Sequence, residues 1–277
     1  MAVTAADVKA LRDRTGAGMM ECKKALTECN GDADAAEKLL KEKGLAAVAK
    51  RAERATSEGR LFMRQIADKI YVVEMTSETD FVANNAEFVA MGEKLLDLTV
   101  SKGYTEVTQE HKDLLTEVAT KFRENMSVSK VEVIDVPSDA AGAYYVHSDN
   151  KTGAVVVVKG SNADEVKTFA KDCCLHIAAF TPSYLTKKDV PESYVNEQKE
   201  IFQAQMDQDE KMASKPQNVK DGILQGKVNK HLAEICFEDQ MFVKDDKKSV
   251  SAKLAEVGKS VGATLSFATA KLFVLGK

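Results

Sequence analysis

The stretch GRLFMRQIADKIYVVEMTSETDFVANN, residues 59–85, decides the fold. Residues 60–64 and 70–75 are rich in apolar and β-branched side chains, and polar turn residues such as Asp68 separate them, the pattern of a β-hairpin. Beyond Asn85 the period changes to that of a helix over residues 85–100, with Phe88, Met91, Leu95 and Leu98 on one face. A second helix around Leu114, Val118 and Phe122 is expected to cover the same sheet.

Working outward, the plan repeats in the second half. Residues 143–146 and 154–158 flank the turn sequence SDNKTG, and a helix begins near Ala163 with Val166, Phe169, Ala170, Cys173 and Ile177 inward. Two related α+β subdomains are therefore predicted. Residues 190–232 are polar, lack strand signals and are broken by Pro216, which predicts two antiparallel helices turning near residues 214–217 and projecting from the core. Residues 237–243, a short helix around residues 254–257 and a β-rich end at 264–274 complete the chain, the last strand joining the second sheet.

Toward the start, Thr4 caps a short helix with Asp7 three residues on, and Gly16 and Gly18 end it. A second helix from Met19 stops at Asn30 and Gly31, and Asp32 caps a third carrying Ala36, Leu39 and Leu40. Three helices in so short a span bury little surface, which suits a docking head better than a site for chemistry. The following AAVAKRAERATSE, residues 46–58, lacks large apolar residues and reads as an exposed helix or a mobile tether.

The length, 277 residues, allows roughly two domains. With 44% hydrophobic and 30% charged residues the composition is that of a globular chain able to fold by burial. A net charge of -4 repels a phosphate backbone, so direct nucleic-acid binding is not expected. Five cysteines without C-x-x-C spacing disfavour both a disulfide framework and a cysteine zinc site, and a reducing cytoplasm is the simplest compartment. The first seven residues lack a basic stretch followed by an apolar one, and no apolar run approaches the ~20 residues that span a bilayer, so no membrane association is expected.

Reactive chemistry is hard to find. There is no G-x-x-x-x-G-K-[ST] loop and no G-x-G-x-x-G after a strand, so the chain itself is not expected to bind GTP, and no cofactor is implied. His111, His147, His176 and His231 are scattered without ligand spacing, and no metal site is expected. Cys173, Cys174 and His176 form the densest cluster, but Cys173 lies on an apolar stripe where a thiol acts as a small hydrophobe. The acidic run Asp207, Asp209 and Glu210 lacks the glycine and alternation of a calcium loop and reads as a solvated face.

Two segments resist a purely structural account. In RTGAGMMECKKAL, residues 14–26, Met19 and Met20 follow a glycine turn, and at most one of them fits easily into a three-helix core. The outward one, with Arg12, would make a contact patch. In TDFVANN, residues 79–85, capping accounts for Thr79 or Asp80 but not for Phe81. Judged on the residues alone, an aromatic there either folds onto the core, the favoured reading, or protrudes as a wedge for another protein.

These two segments, RTGAGMMECKKAL and TDFVANNAEF, resemble the two signatures of the elongation factor Ts family, in the expected order and separation. The similarity continues through AKRAERATSEG, Tyr145-Val146-His147, the helix at residues 164–179 and EICFEDQMFVKDD, and so covers nearly the whole chain. The resemblance implies an α+β fold in four parts. A three-helix head like ubiquitin-associated (UBA-like) domains occupies residues 1–45, and a linker residues 46–58. The core subdomains, each with an antiparallel sheet, occupy residues 59–140 and 141–277, with a helical hairpin inserted at about residues 187–232. The sequence departs from the family at Met241, where Pro is usual, and is expected to lack the further C-terminal helix of some members.

The resemblance also implies a function: guanine-nucleotide exchange on the GTPase elongation factor Tu, in its GDP-bound and nucleotide-free states, with no chemistry of the chain's own. Asp80 and Phe81, flanked by Thr79 and Val82, would enter the GTPase near its magnesium site. Arg12, Met19 and Met20 would grip the nucleotide domain elsewhere, and Met126 and His147 match positions that contact a second region of the partner. The projecting hairpin is left open between contact with the GTPase, with a second copy in a homodimer, or with nothing. A binding adaptor for some other protein is the alternative reading. An enzyme using Cys173 or Cys174 with His176 is the third, and needs an accessible, low-pKa thiol.

Overall fold

The computed structural model describes residues 3–277. Met1 and Ala2, the first residues of the expected head, lie outside the described residues.

Helix α1 (Ala5–Thr15) begins at a reciprocal cap: Thr4 Oγ1 accepts from Asp7 N, and Thr4 N donates to the Asp7 carboxylate at 2.9 Å. Its C-cap Gly16 adopts the left-handed conformation at φ 66°. Helix α2 (Met19–Glu28) ends at Asn30 and Gly31, both left-handed, and Asp32 Oδ1 caps α3 (Ala33–Arg51) by accepting from Asp34 N and Ala35 N. Val8, Leu11, Cys22, Ala25, Leu26 and Ala36 form the small core between them. The third helix crosses residue 45, so the first part of the following segment takes the helical one of its two readings. It runs on through residues 46–51, because Ala, Lys and Arg keep helix propensity high where no glycine or proline intervenes.

The hairpin is present as β1 (Glu58–Ile66) and β2 (Lys69–Ser77), joined by the two-residue turn Ala67-Asp68 with Ala67 at φ 50°. A short turn of helix, α4 (Asp80–Ala83), leads into α5 (Ala86–Lys102), and α6 (Gln109–Phe122) follows. A third strand, β3 (Met126–Asp135), pairs antiparallel with β2 and was not expected. Its sequence, MSVSKVEVID, hides the period-2 signal. The register shifts opposite Glu74 and Met75, so Ser129 bulges out and the apolar alternation is cut into two short pieces.

The second sheet has the order β4 (Ala140–Val146), β5 (Thr152–Lys159) and then the last strand of the chain, all antiparallel. Helix α7 (Asp164–Phe180) covers it. Next come α8 (Glu192–Asp207), the single turn α9 (Glu210–Ala213) and α10 (Gln217–Ile235), then a small ribbon of β6 (Met241–Phe242) and β7 (Asp245–Ser249). Helix α11 (Val250–Ser260) and β8 (Ser266–Val274), the third strand of the second sheet, close the chain. Helices α8 and α10 are antiparallel. Tyr194, early in one, hydrogen-bonds His231, late in the other, at 2.9 Å, and Val228 and Leu232 bury the base of the pair. At the opposite end the chain turns from α8 into α10 through α9 rather than through a simple loop.

Burial explains why so many strand residues are apolar on both faces. On the first sheet Phe62, Tyr71, Val73 and Met75 pack under Phe88, Met91, Leu95 and Leu115 of the helices. The intervening Leu61, Met63, Ile70 and Val72 pack instead against Val155, Val157 and Phe273 of the second sheet. Val156 and Val158 face α7. The result is helix, sheet, sheet, helix, with a core shared between the two halves. Gly92 lets α5 lie close on the sheet, since a Cβ there would come within 2.0 Å of the Phe62 ring.

Two buried histidines serve this packing. His111 Nδ1 accepts from Thr108 N at 3.1 Å, and His176 Nδ1 accepts from Val243 N at 3.1 Å. Their Nε2 atoms lie 3.0 Å from Thr99 Oγ1 and 2.8 Å from Gln240 Oε1 respectively. Each ring is therefore held neutral, with its proton on Nε2. Burial lowers both pKa values below the ordinary value of about 6.5. Because the unfolded chain binds these protons more readily, the contribution to stability is complete above that ordinary value and is lost as pH falls toward the lowered ones. The urea midpoint is expected to fall between pH 7.5 and 5.5, as the unfolding free energy drops by no more than about 1.4 kcal/mol per pH unit for each imidazole. A midpoint flat over that interval would contradict the buried neutral rings.

Candidate functional site

The segment from Ser77 to Asn85 is braced on every side. Thr79 Oγ1 accepts from Val82 N at 3.4 Å, while Thr79 N and Oγ1 donate to the Glu124 carboxylate at 3.0 and 2.6 Å. Ser77 Oγ donates to Thr79 O, and Arg60 clasps the far end, donating to Ala83 O at 2.7 Å and to Asn84 Oδ1 at 2.6 Å. Asn84 donates twice to Asp80 O, and Asn85 caps α5 through Glu87 N. Within a helical turn successive side chains are about 100° apart, and here Val82 and Ala83 go inward while Asp80 and Phe81 face out.

Phe81 is 85% exposed. This reverses the reading favoured on the residues alone, that an aromatic there folds onto the core. The space beneath the turn is already filled by Val82, Ala83 and Phe88, all in one cluster. In the head, where at most one of the pair was expected to fit the core, Met19 and Met20 are both exposed, at 45% and 76%. The inward face of α2 is taken by Cys22, Ala25 and Leu26, which leaves the first turn outside the core. Arg12 is exposed on α1.

His147 stands exposed just after β4, with Nδ1 3.0 Å from the Tyr145 hydroxyl. The Lys171 ammonium lies 5.4 Å from the Tyr145 ring centroid. Met126 is different: it is buried at the start of β3, opposite Ser77, in the same cluster as Val82. It backs the Phe81 turn and does not present its side chain at the surface. Arg60 and Glu124, which hold that turn, were missed from the sequence. Glu124 is 45 residues from Thr79, and nothing local signals their meeting.

The cysteine cluster shows no reactive arrangement. Cys173, Cys174 and His176 are buried on α7; Cys174 Sγ donates to Ala143 O, and both His176 nitrogens are engaged elsewhere. Burial pushes the Cys173 thiol well up, Cys174 to about 12 and Cys236 to about 11. Of the five thiols only Cys29 is not buried. Alkylation of the native protein at neutral pH is expected to modify one thiol, against five in denaturant; rapid modification of Cys173 or Cys174 would revive the thiol-enzyme reading. Among the described residues no three His, Cys, Asp or Glu side chains gather as metal ligands, and no helix is long and apolar enough to cross a membrane.

Fold and surface together define a two-sheet α+β protein that holds an aromatic side chain outward on a braced turn. The family model for Elongation factor TS matches residues 78–272, a span that opens one residue before that turn. Elongation factor Ts of Treponema denticola is 52% identical over 281 residues, covering 100% of this chain and 99% of the relative. That of Treponema pallidum (strain Nichols) is 48% identical over 292 residues, with 100% and 99% covered. That of Borrelia recurrentis is 40% identical over 268 residues, with 94% and 95% covered. The chain belongs to the elongation factor Ts family, a family of translation elongation factors.

Proposed function

We propose that this chain is a guanine-nucleotide exchange factor for elongation factor Tu, acting by protein contact and without a covalent step. One observation carries the reading: a phenylalanine 85% exposed beside an exposed aspartate, on a turn too well braced for that exposure to be accidental. An apolar side chain held in water is stabilised when it enters a partner's pocket, by roughly 1.5–3 kcal/mol for full burial. A rigid turn also loses little conformational freedom on docking.

GDP is held in a GTPase by phosphate contacts and by Mg²⁺. A ring driven in beside the metal's neighbourhood, with the Asp80 carboxylate alongside, distorts that site and competes with phosphate for its positive potential. Met19, Met20 and Arg12 supply a second hold from the head, and His147 a third from the second sheet. Linkage then requires reciprocity: the factor by which this chain weakens nucleotide binding is the factor by which nucleotide weakens the binding of this chain. A transient ternary complex follows, and either nucleotide dissociates it.

Release of a fluorescent GDP analogue from elongation factor Tu, chased with unlabelled GDP, tests the proposal. Substoichiometric amounts of this chain are expected to accelerate release with turnover. Unchanged release from a partner that responds to another exchange factor would refute it.

A further inference from the structure

Three consecutive residues after α6 touch three different parts of the protein. Arg123 Nη2 donates to Glu21 Oε2 at 2.7 Å, and that carboxylate oxygen also accepts from Gly18 N, so the contact falls on the first turn of α2, which carries Met19 and Met20. Glu124 holds Thr79, at the base of the Phe81 turn. Asn125 Nδ2 donates to Arg54 O at 2.6 Å and to Ala52 O at 3.2 Å, just beyond the end of α3, and Asn125 N donates to Glu78 Oε1 at 2.6 Å. Arg123 takes the left-handed conformation, φ 59°, which turns the chain so that neighbouring side chains reach opposite ways.

The geometry points to Arg123-Glu124-Asn125 as a strut that sets the spacing between the methionine pair of the head and Asp80-Phe81, making the two contact sites one preorganised binding element. This rests on the exchange reading and deepens it, since none of the three residues need touch the partner. They are positioning residues. Helix α3 also packs on α6, with Val48 against the first-sheet cluster, while the Glu21–Arg123 pair lies at the first turn of α2, beside the methionines. Gly18 lies against Arg123, where a Cβ would sit 3.1 Å from Nη2, and Gly44 lies against Thr120 at the same separation. Both glycines permit a close approach but supply no side-chain hold. The Glu21–Arg123 pair is exposed on both sides, 53% and 59%, so it contributes little to stability. What it fixes is geometry. Two sites on one rigid frame bind at a high effective concentration, and loosening the frame lowers that concentration without removing a contact.

The test compares wild type with the double substitution Arg123→Gly and Asn125→Ala, which keeps Glu124 on Thr79. Two readouts are needed. Spin labels at Lys24→Cys and Lys94→Cys, in a Cys29→Ser background, report the distance between head and core. GDP release from elongation factor Tu reports half-saturation and the limiting rate. The double variant is expected to broaden the distance distribution and raise half-saturation about tenfold, with the limiting rate within about twofold of wild type; Arg123→Lys is expected to retain both. An unchanged distance distribution, an unchanged half-saturation, or a loss confined to the limiting rate would overturn the inference while wild-type exchange stands. Absence of wild-type exchange would overturn the exchange reading and this one with it. If the double variant loses its melting transition, Arg123→Gly alone carries the test, because glycine is at ease at that φ.

Discussion

Phe81→Ala is expected to lower the accelerated rate of GDP release from elongation factor Tu about 30-fold or more and to leave the melting temperature within about 2 °C of wild type. The two halves of this expectation have separate causes. At 85% exposure the ring supports no core, and alanine is a better helix former for a single turn, so folding has nothing to lose. In a complex the same ring would be the side chain most able to fill a pocket, and aromatic anchors of that kind are worth 2 kcal/mol or more, which is about 30-fold. Stopped-flow release at several concentrations of the variant, together with a melting curve, decides it. Wild-type exchange by a folded variant would remove the wedge, and a melting temperature lowered by many degrees would mean that Phe81 packs inside.

The second large effect is on folding. Gly59→Ala is expected to destabilise the protein by about 3 kcal/mol, combining backbone strain with steric overlap. Gly59, the second residue of β1, lies opposite Thr76 at φ 146°, a conformation open to glycine and poorly tolerated by other residues. An added Cβ would lie 2.2 Å from the carbonyl oxygen of Met75 and 2.7 Å from the Thr76 Cα. Both are backbone atoms of the paired strand, so no side chain can swing aside to relieve the overlap. The strands must part at that end, next to Arg60, which clasps the Phe81 turn. Urea unfolding measures the cost. A midpoint equal to wild type would show that β1 does not begin where it is described, and a reduced exchange rate beyond the loss of folded protein is expected through Arg60.

Much of the architecture is legible in local chemistry. Thr4 with Asp7 and Asp32 with Asp34 mark helix starts because their side chains accept the first free N–H groups, and they do so wherever the helix ends up. The apolar period of residues 88–99 likewise marks the face of α5 that is buried on the sheet. Local signals fail where a strand is interrupted. The bulge at Ser129 removed β3 from view, since a period of two cannot be counted across an inserted residue. They leave a choice open where no breaker marks an end: residues 46–51 read as helix or tether, and α3 continues through them as helix.

The candidate site divides in the same way. Its motif, TDFVANN, could be picked out by resemblance and by the cap at Thr79, but the residues alone sent Phe81 the wrong way. Direction depends on what else competes for the space below the turn, and Val82, Ala83 and Phe88 come to that space from positions whose packing is long-range. Met126 and Met20 make the point from both sides, two methionines with similar claims to a surface role, one buried and one 76% exposed.

By itself, then, the sequence determined the helix starts at Thr4, Asp32 and Asn85, the apolar, β-branched strands of the two hairpins, and membership of the elongation factor Ts family, since these depend on neighbours within a few residues or on the order of residues in a motif. Only the tertiary structure decided that the two sheets lie back to back over one core, that Phe81 points into water, and that Arg123, Glu124 and Asn125 join the head, the linker and the Phe81 turn. Those outcomes are set by contacts between residues tens of positions apart, such as Thr79 with Glu124 and Glu21 with Arg123. Each is won by whichever side chains fill a shared volume or satisfy a shared hydrogen bond, and that competition takes place only once the whole chain has folded.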